Sequence, residues 1–143
     1  MTNTNAIQAT QIEQGLAQFS GTTVYFEYPL NHHVVYTEGM QYLAEKANAY
    51  WLIDAIGSYY HPGNQQMLDA IRRDERLKTL QFWRLERLPG HPDEAMLTAR
   101  ADSDCEPFVE QHIEYTDFPL ESIDVWAGLG GEQRWVLYLP SEH

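Results

Sequence analysis

The run of residues 36–60 has the longest helical periodicity in the sequence, and it carries two apolar stripes that point in different directions. Successive residues of a helix are turned by about 100°, so the second stripe lies on nearly the opposite side of the cylinder from the first. One straight helix cannot turn both stripes toward a single core. The first stripe consists of Met40, Leu43, Ala44 and Ala47, and the second consists of Leu52, Ile56 and Tyr59.

A break between two helices reconciles these stripes. Asn48 lies between them, and asparagine tolerates the left-handed conformation in which helices commonly end. We therefore predict two consecutive helices, at 38–47 and 49–60. The second is apolar on most of its surface, which indicates a central position. One long helix clamped between a sheet and another helix is the alternative interpretation.

The length of the chain favours one domain. A chain of 143 residues can bury roughly two thirds of its unfolded surface in one core, but it is short for two cores. The hydrophobic fraction of 43% and the aromatic fraction of 13% are typical of globular rather than disordered proteins. Residues 1–9 are polar, so we expect a flexible N-terminus followed by a single α+β domain at 10–143.

Two more helices and several strands complete the predicted fold. A capping-box pattern that begins at Thr10 predicts a helix at 10–19, and Asn64 is a suitable N-cap for a helix at 64–72. Elsewhere the apolar residues recur with a period of two, and aromatic residues in these segments, such as Trp126, are expected in the core. We expect the helices to pack on a mostly antiparallel sheet in which consecutive strands pair. The predicted strands are 22–28 in the N-terminal half and 81–88, 95–102, 106–115, 123–127 and 135–139 in the C-terminal half.

The net charge of −12 is unevenly distributed along the chain. Residues 72–87 contain six basic and three acidic side chains, whereas residues 93–143 contain two basic and twelve acidic ones. Such an acidic half would repel nucleic-acid phosphates, so we do not expect direct binding of DNA or RNA. No apolar run reaches the length of a membrane span, and Cys105 is the only cysteine, so no intrachain disulfide forms. We expect a cytoplasmic protein without membrane attachment.

The strand predicted at 106–115 has one strongly acidic face. Its even-numbered positions include three glutamates and a histidine, whereas Val109 and Ile113 lie on the opposite face. We predict that the carboxylates on and just before this strand bind a basic surface of a partner protein. Protection of a sheet edge against aggregation is the alternative explanation. The candidate partner-binding residues are Asp102, Asp104, Glu106, Glu110 and Glu114.

The sequence offers little support for catalysis. It contains no nucleophile-elbow, P-loop or dinucleotide-binding motif. Cys105 has an acidic residue on each side, and their negative charge makes it a poor nucleophile. None of the six histidines has the spacing of helical metal ligands, although a zinc or iron site assembled from His32, His61 and Asp54 is left open. We therefore assign no catalytic residue, no metal ligand and no cofactor.

Five segments of the sequence form a distinctive combination: FSGT at 19–22, VYTEGMQYLAEKANAYWLIDAI at 35–56, QFW at 81–83, YTDFPL at 115–120 and LPSE at 139–142. Together they resemble a family of small domains of unknown function that are found in bacteria, plasmids and phages. The resemblance covers residues 15–142. It implies a bacterial or mobile-element origin and a cytoplasmic protein, and it carries over no catalytic residue. Asn48 stands where the family pattern leads us to expect glycine, which supports a helix break at this position.

We interpret the chain as a non-catalytic, acidic protein-binding module. If it comes from a mobile element, its partner would be a host nuclease or defence complex whose nucleic-acid-binding surface the carboxylates occupy. One alternative is a small hydrolase or metal-dependent enzyme that uses Asp54 and histidines. The other is a structural subunit of an oligomer, such as a homodimer.

Overall fold

The computed structural model describes residues 2–18 and 24–143, and for residues 2–7 it describes the backbone alone. Over this part of the chain, four α-helices and a seven-stranded, mostly antiparallel sheet confirm the predicted α+β class. The helices are α1 (Thr2–Leu16), α2 (Glu38–Lys46), α3 (Tyr50–Gly57) and α4 (Gln65–Arg73). The strands are β1 (Tyr25–Glu27), β2 (Val34–Thr37), β3 (Leu80–Leu88), β4 (His91–Arg100), β5 (Val109–Ile113), β6 (Ser122–Leu129) and β7 (Trp135–Tyr138). Short 3₁₀ helices lie at Ser58–Tyr60, Glu75–Lys78, Gly131–Gln133 and Pro140–Glu142.

The chain between α2 and α3 confirms the prediction of two helices rather than one. Asn48 has a φ of 52°, which lies in the left-handed region. The N–H of Ala49 then donates to the carbonyl of Ala44 at 2.8 Å, which satisfies a carbonyl group at the end of α2. At the other end, Thr37 caps α2 by accepting a hydrogen bond from the N–H of Met40. Both apolar stripes pack in one core, in which all of their residues are buried except Tyr59, which is partly buried against it.

The first helix is longer than the sequence pattern predicts. α1 begins at Thr2, so Thr10 lies inside the helix and the capping-box prediction is wrong. Ile12 and Leu16 are buried, and Ala9 also packs against the core, so the buried face extends N-terminal to the predicted start. The predicted end of this helix and the predicted start of the first strand lie outside the described residues.

The strand order in the sheet is β1-β2-β7-β6-β3-β4-β5. Antiparallel pairing of consecutive strands is confirmed for β3 with β4, for β4 with β5 and for β6 with β7. It is wrong for β5 and β6, because β6 pairs with β3 instead, and β2 pairs with β7 in parallel. The segment that joins β5 to β6 buries Phe118 and Leu120, and the N–H of Arg87 on β3 donates to the carbonyl of Glu121 near its end. This apolar connection brings the chain back to the middle of the sheet.

The helices pack on one face of the sheet, which we call the inner face. Its strand residues and the apolar stripes of the helices form the main hydrophobic core. The residues of this core with almost no exposed surface include Trp83, Leu85, Leu97 and Leu137 from the strands and Met40, Leu43, Leu52 and Ile56 from the helices.

Buried hydrogen bonds also connect the helices to the inner face. The indole N–H of Trp83 donates to the hydroxyl of Tyr60 at 2.7 Å, and this hydroxyl donates to the amide oxygen of Gln81 at 2.5 Å. The amide nitrogen of Gln81 donates to the carbonyl of Leu77 at 2.9 Å. Burial raises the pKa of Tyr60 well above its usual value, so its hydroxyl stays protonated and continues to donate. The network thus fixes the 3₁₀ helix Ser58–Tyr60 against β3.

The C-terminal residues close the fold at the start of α2. Glu142 is buried, and its carboxylate accepts hydrogen bonds from the Thr37 hydroxyl at 2.7 Å, the Gly39 N–H at 3.2 Å and the Leu139 N–H at 2.9 Å. The dipole of α2 also favours a negative charge at this end of the helix. A Cβ atom on Gly39 would lie 2.6 Å from a carboxylate oxygen of Glu142, so the glycine makes room for the contact.

Candidate functional site

The face of the sheet opposite the helices, which we call the outer face, carries partly exposed apolar side chains. Buried and partly exposed residues alternate along β3, β4 and β6, as expected for strands with one covered face. The apolar residues of the outer face lie outside the described hydrophobic core. They include Phe82, Met96, Trp126, Val136 and Tyr138.

Aromatic rings form a strip across the outer face, which we define by Phe82, Trp126, Tyr138 and His143. The ring centroids of Phe82 and Trp126 are 5.0 Å apart, and those of Trp126 and Tyr138 are 6.1 Å apart, both in edge-to-face geometry. The rings of Tyr138 and His143 are stacked, and Oη of Tyr138 lies 2.9 Å from Nδ1 of His143. The aromatic strip therefore crosses the neighbouring strands β3, β6 and β7 and reaches the last residue of the chain.

Two arginines flank the aromatic strip. The guanidinium of Arg84 donates to a carboxylate oxygen of Asp124 at 2.8 Å, and it lies 3.7 Å from a carboxylate oxygen of Glu86. The hydrogen bond with Asp124 raises the pKa of Arg84 above its usual value, although burial opposes this shift. Arg100 donates to the carbonyl of Cys105 at 3.1 Å. Both guanidinium groups are thus held by hydrogen bonds beside the rings.

A cavity of about 660 Å³ opens beside the aromatic strip. Aromatic rings, guanidinium groups and carboxylates contribute to its wall. Such a wall suits a side chain that is apolar along its length and positively charged at its end, because rings and carboxylates both attract cations. The lining includes Phe82, Trp126, Arg84, Arg100, Asp102 and Asp124.

Two of the five predicted carboxylates lie on or beside the outer face. Asp102 lines the cavity next to the aromatic strip. Glu110 is exposed on β5, and its register partner on β4 is Thr98, which belongs to the outer face. The geometry therefore places Asp102 beside the aromatic strip and Glu110 on the strand at the edge of the outer face.

The other three predicted carboxylates lie elsewhere around β5. A carboxylate oxygen of Asp104 is 3.8 Å from the sulfur of Cys105, in the loop between β4 and β5. Glu106 and Glu114 are exposed and lie outside the strand, which is shorter than predicted. Within the described residues, none of the five predicted carboxylates takes part in an ion pair.

The sequence reasoning missed Glu94, a further carboxylate of the outer face. One of its oxygens lies 2.9 Å from Nε2 of His112, and the other lies 3.2 Å from Nδ1 of His91. His112 is exposed and lies one residue before the end of β5, so Glu94 and the two histidines extend the polar border of the outer face. Cross-strand pairing of β4 with β5 produces this cluster, and the spacing in the sequence does not reveal it.

The residues of the alternative enzyme hypothesis do not form a metal site. Asp54 accepts a hydrogen bond from the hydroxyl of Tyr28 at 2.9 Å, and burial together with this bond raises the pKa of Tyr28 to about 12. The ring of His32 packs against its neighbour His33, with 4.3 Å between the centroids. Among the described residues, no group of three His, Cys, Asp or Glu side chains could hold a metal ion. The site suggested for His32, His61 and Asp54 is therefore not assembled.

The aromatic strip itself was also missed, because Trp126 was expected in the core. The alternation of residue types along the predicted strand 81–88 does indicate a partly exposed face. Phe82, Arg84 and Glu86 share one face, and a mixture of aromatic and charged residues is typical of a partly exposed surface. The opposite face carries Trp83 and Leu85, which are buried.

A protein-family model matches residues 10–143, and it describes a family of unknown function. No curated protein and no solved structure matches the chain. No helix within the described part of the chain combines the length and the apolar character needed to cross a membrane.

Proposed function

The chain belongs to DUF6876, a family of unknown function, and we propose that it is a non-catalytic module that binds a basic partner protein through the outer face of its sheet. The family match includes every residue of the aromatic strip. A bacterial or mobile-element origin and a cytoplasmic location belong to the same proposal. The mode of binding, the origin of the gene and the cellular location can each be tested by experiment.

The observation that carries the proposal is the position of the aromatic strip. Trp126 and Tyr138 are partly exposed and lie outside the hydrophobic core, although burying such rings would stabilise the fold. Tryptophan, tyrosine and arginine are the residues that most often dominate binding at the centre of protein interfaces. A surface of rings with flanking arginines and a polar border has the composition of such an interface.

The charge of the outer face favours a basic partner. Five carboxylates lie on or beside it, namely those of Glu86, Glu94, Asp102, Glu110 and Asp124, against the guanidinium groups of two arginines. The balance of −3 has the same sign as the net charge of −12 of the whole chain. Complementary potentials accelerate association and discriminate against partners of the wrong charge.

Nucleic-acid-binding proteins are the class of partner that this charge suits best. Their binding surfaces are basic, and an acidic module can occupy such a surface in place of phosphates. We therefore propose that the protein inhibits a host protein of this class, such as a nuclease or a defence complex, by covering its nucleic-acid-binding surface. Nucleic acid and this protein would then compete for one site on the partner.

The test is affinity capture from the native host with the wild-type chain and matched variants, followed by measurement of Kd with the purified partner. Trp126→Ala is expected to weaken binding roughly tenfold or more, because it removes the central ring of the strip. Leu30→Ala, in the exposed turn between β1 and β2, is the control and should leave Kd unchanged. A partner that binds Trp126→Ala as tightly as the wild type would show that the outer face is not the binding surface.

Measurements at several ionic strengths and competition with nucleic acid test whether opposite charges drive the binding of the partner. We expect the affinity to fall steeply from low to high salt, and Glu110→Gln to slow association more than it accelerates dissociation. A short duplex should displace the protein from its partner in proportion to the concentration of the duplex. Binding that is insensitive to salt, or a ternary complex that contains the duplex, would contradict the proposed mode of inhibition.

A further inference from the structure

Arg87 is an arginine with an unsatisfied donor at the end of β3, where the pairing with β4 changes register. Its Nε atom is buried and has no hydrogen-bond partner among the described residues. Its guanidinium also forms no ion pair there. Nε itself has almost no accessible surface, whereas the two terminal nitrogens of the guanidinium are not buried and make no side-chain hydrogen bond among the described residues, so they are the atoms that a ligand carboxylate can reach.

The side chain lines a cavity of about 250 Å³ between β3, the end of α2 and the segment that joins β5 to β6. Asp117 also lines this cavity, and its carboxylate is not ion-paired with Arg87 or with any other described residue. The sequence has no charged side chain at 1–7 or at 19–23 that could neutralise either group. Among the described residues, the cavity therefore presents one positive and one negative side chain that form no ion pair with each other or with another residue.

The helix beside the cavity adds a third electrostatic feature. Ala47, the C-cap of α2, and Asn48 both line the cavity, so the negative end of the helix dipole lies next to it. The amide of Gln8 donates to the carbonyl of Lys46 in the last turn of α2, and this bond is long at 3.4 Å. The carbonyl end of a helix favours a cation, whereas the fork of a guanidinium favours a carboxylate.

We propose that this cavity binds a small zwitterion of the α-amino-acid class. The ligand carboxylate pairs with the guanidinium of Arg87, and the ligand ammonium group lies toward Asp117 and the carbonyl end of α2. A simple anion fits less well, because Asp117 and the helix dipole repel it. The apolar side chains of Phe118 and Pro119 complete the wall and accommodate the carbon atoms of the ligand.

A second cavity next to Arg87, of about 440 Å³, suits such a ligand less well. It contains the carboxylates of Glu86 and Glu121, and its other guanidinium, that of Arg84, is already hydrogen-bonded to Asp124. A ligand carboxylate would meet two negative side chains there. The proposed site is therefore the smaller cavity.

The test is a titration of the full-length protein with glycine, L-alanine and L-leucine, followed by amide chemical shifts. Sodium acetate and methylammonium chloride are the controls that carry one charge each. We expect saturable shifts at Asn48 and Asp117 with at least one amino acid, and binding of each control that is roughly tenfold weaker or more. Equal affinity for acetate, or no saturable shift with any of the three amino acids, would overturn the proposal.

Variants locate the site. Arg87→Lys keeps the charge but loses the planar fork, and Asp117→Asn removes the acceptor of the ammonium group, so each should weaken binding roughly tenfold. Arg73→Gln changes an exposed arginine at the end of α4 and should leave the affinity unchanged. Far-UV circular dichroism verifies that each variant is folded. Unchanged affinity in folded Arg87→Lys and Asp117→Asn would place the ligand elsewhere and exclude this site.

Discussion

At the scale of single residues, Glu142 shows how a position at the end of the chain can hold the fold together. Its carboxylate satisfies three donors, two of which belong to the start of α2. The segment around it, LPSE, has no periodic pattern that predicts a helix or a strand. The contact joins positions 105 residues apart, and no local pattern indicates a partner at that distance.

We expect Glu142→Ala to reduce the free energy of unfolding by about 3 kcal/mol, because it leaves buried backbone donors without an acceptor. Urea denaturation measures this loss. Ser141→Ala changes the exposed neighbouring residue and should have almost no effect. A loss in Glu142→Ala no larger than that of the control would mean that water replaces the carboxylate at little cost.

Tyr28 leads to a prediction about alkaline pH. Its pKa is raised from 10.0 to about 12 by burial and by the hydrogen bond to Asp54, so the unfolded chain releases this proton at lower pH than the folded chain does. The contribution of Tyr28 to stability is therefore fully present below about pH 10, and it is lost as the pH rises through about 12. In Tyr28→Phe, the free energy of unfolding should fall less steeply over this range.

Urea denaturation at a series of alkaline pH values tests this prediction. Tyr115→Phe is the control, because the side chain of Tyr115 is 76% exposed and its loss should leave the slope unchanged. Identical slopes for the wild type and Tyr28→Phe would show that the folded state does not protect this proton.

At the scale of elements, the break between α2 and α3 follows from local chemistry. The two apolar stripes and an asparagine between them predicted the break, and a φ of 52° at Asn48 confirms it. The strand boundaries were harder to predict from the sequence, because β4 begins at His91 within a stretch of polar residues and proline. Pairing with β3 extends this strand beyond the part that alternates.

We expect Asn48→Ala to destabilise the protein by about 1 kcal/mol, because alanine pays the steric cost of the left-handed conformation that asparagine tolerates. Asn48→Gly is the matched variant, and it should be equal to the wild type or slightly more stable because glycine has no Cβ. Thermal denaturation ranks the three proteins. If alanine and glycine have the same effect, the left-handed conformation does not contribute to the stability of the break.

At the scale of the whole molecule, the sheet separates the residues that stabilise the fold from those that we propose for binding. Trp83 lies on the inner face at 1% exposure and belongs to the buried hydrogen-bond network, whereas Trp126 lies on the outer face and outside the core. Both were expected to pack in the core because of their residue type, although a count by twos places Trp83 with the apolar Leu85 and Trp126 with the charged Asp124. The separation depends on which face of the sheet the helices cover.

We expect Trp83→Ala to cost about 3–5 kcal/mol of unfolding free energy, as is usual for a fully buried tryptophan. Trp126→Ala should cost less than half of this amount, because its ring is partly exposed and lies outside the hydrophobic core. Urea denaturation of both variants provides the comparison. Equal losses would show that Trp126 stabilises the fold as much as Trp83 does. The exposure of its ring would then be no support for a binding surface on the outer face.

Local patterns of residues were sufficient to predict the fold class, the break at Asn48 and most of the strands, because helical and strand periodicities are properties of neighbouring residues. The tertiary structure alone decided that β6 pairs with β3, that β2 runs parallel to β7, and that Glu142 caps α2. It also decided which face of the sheet stays open. These features join residues far apart in the chain, and they arise when all elements compete for one core, which no local pattern can encode.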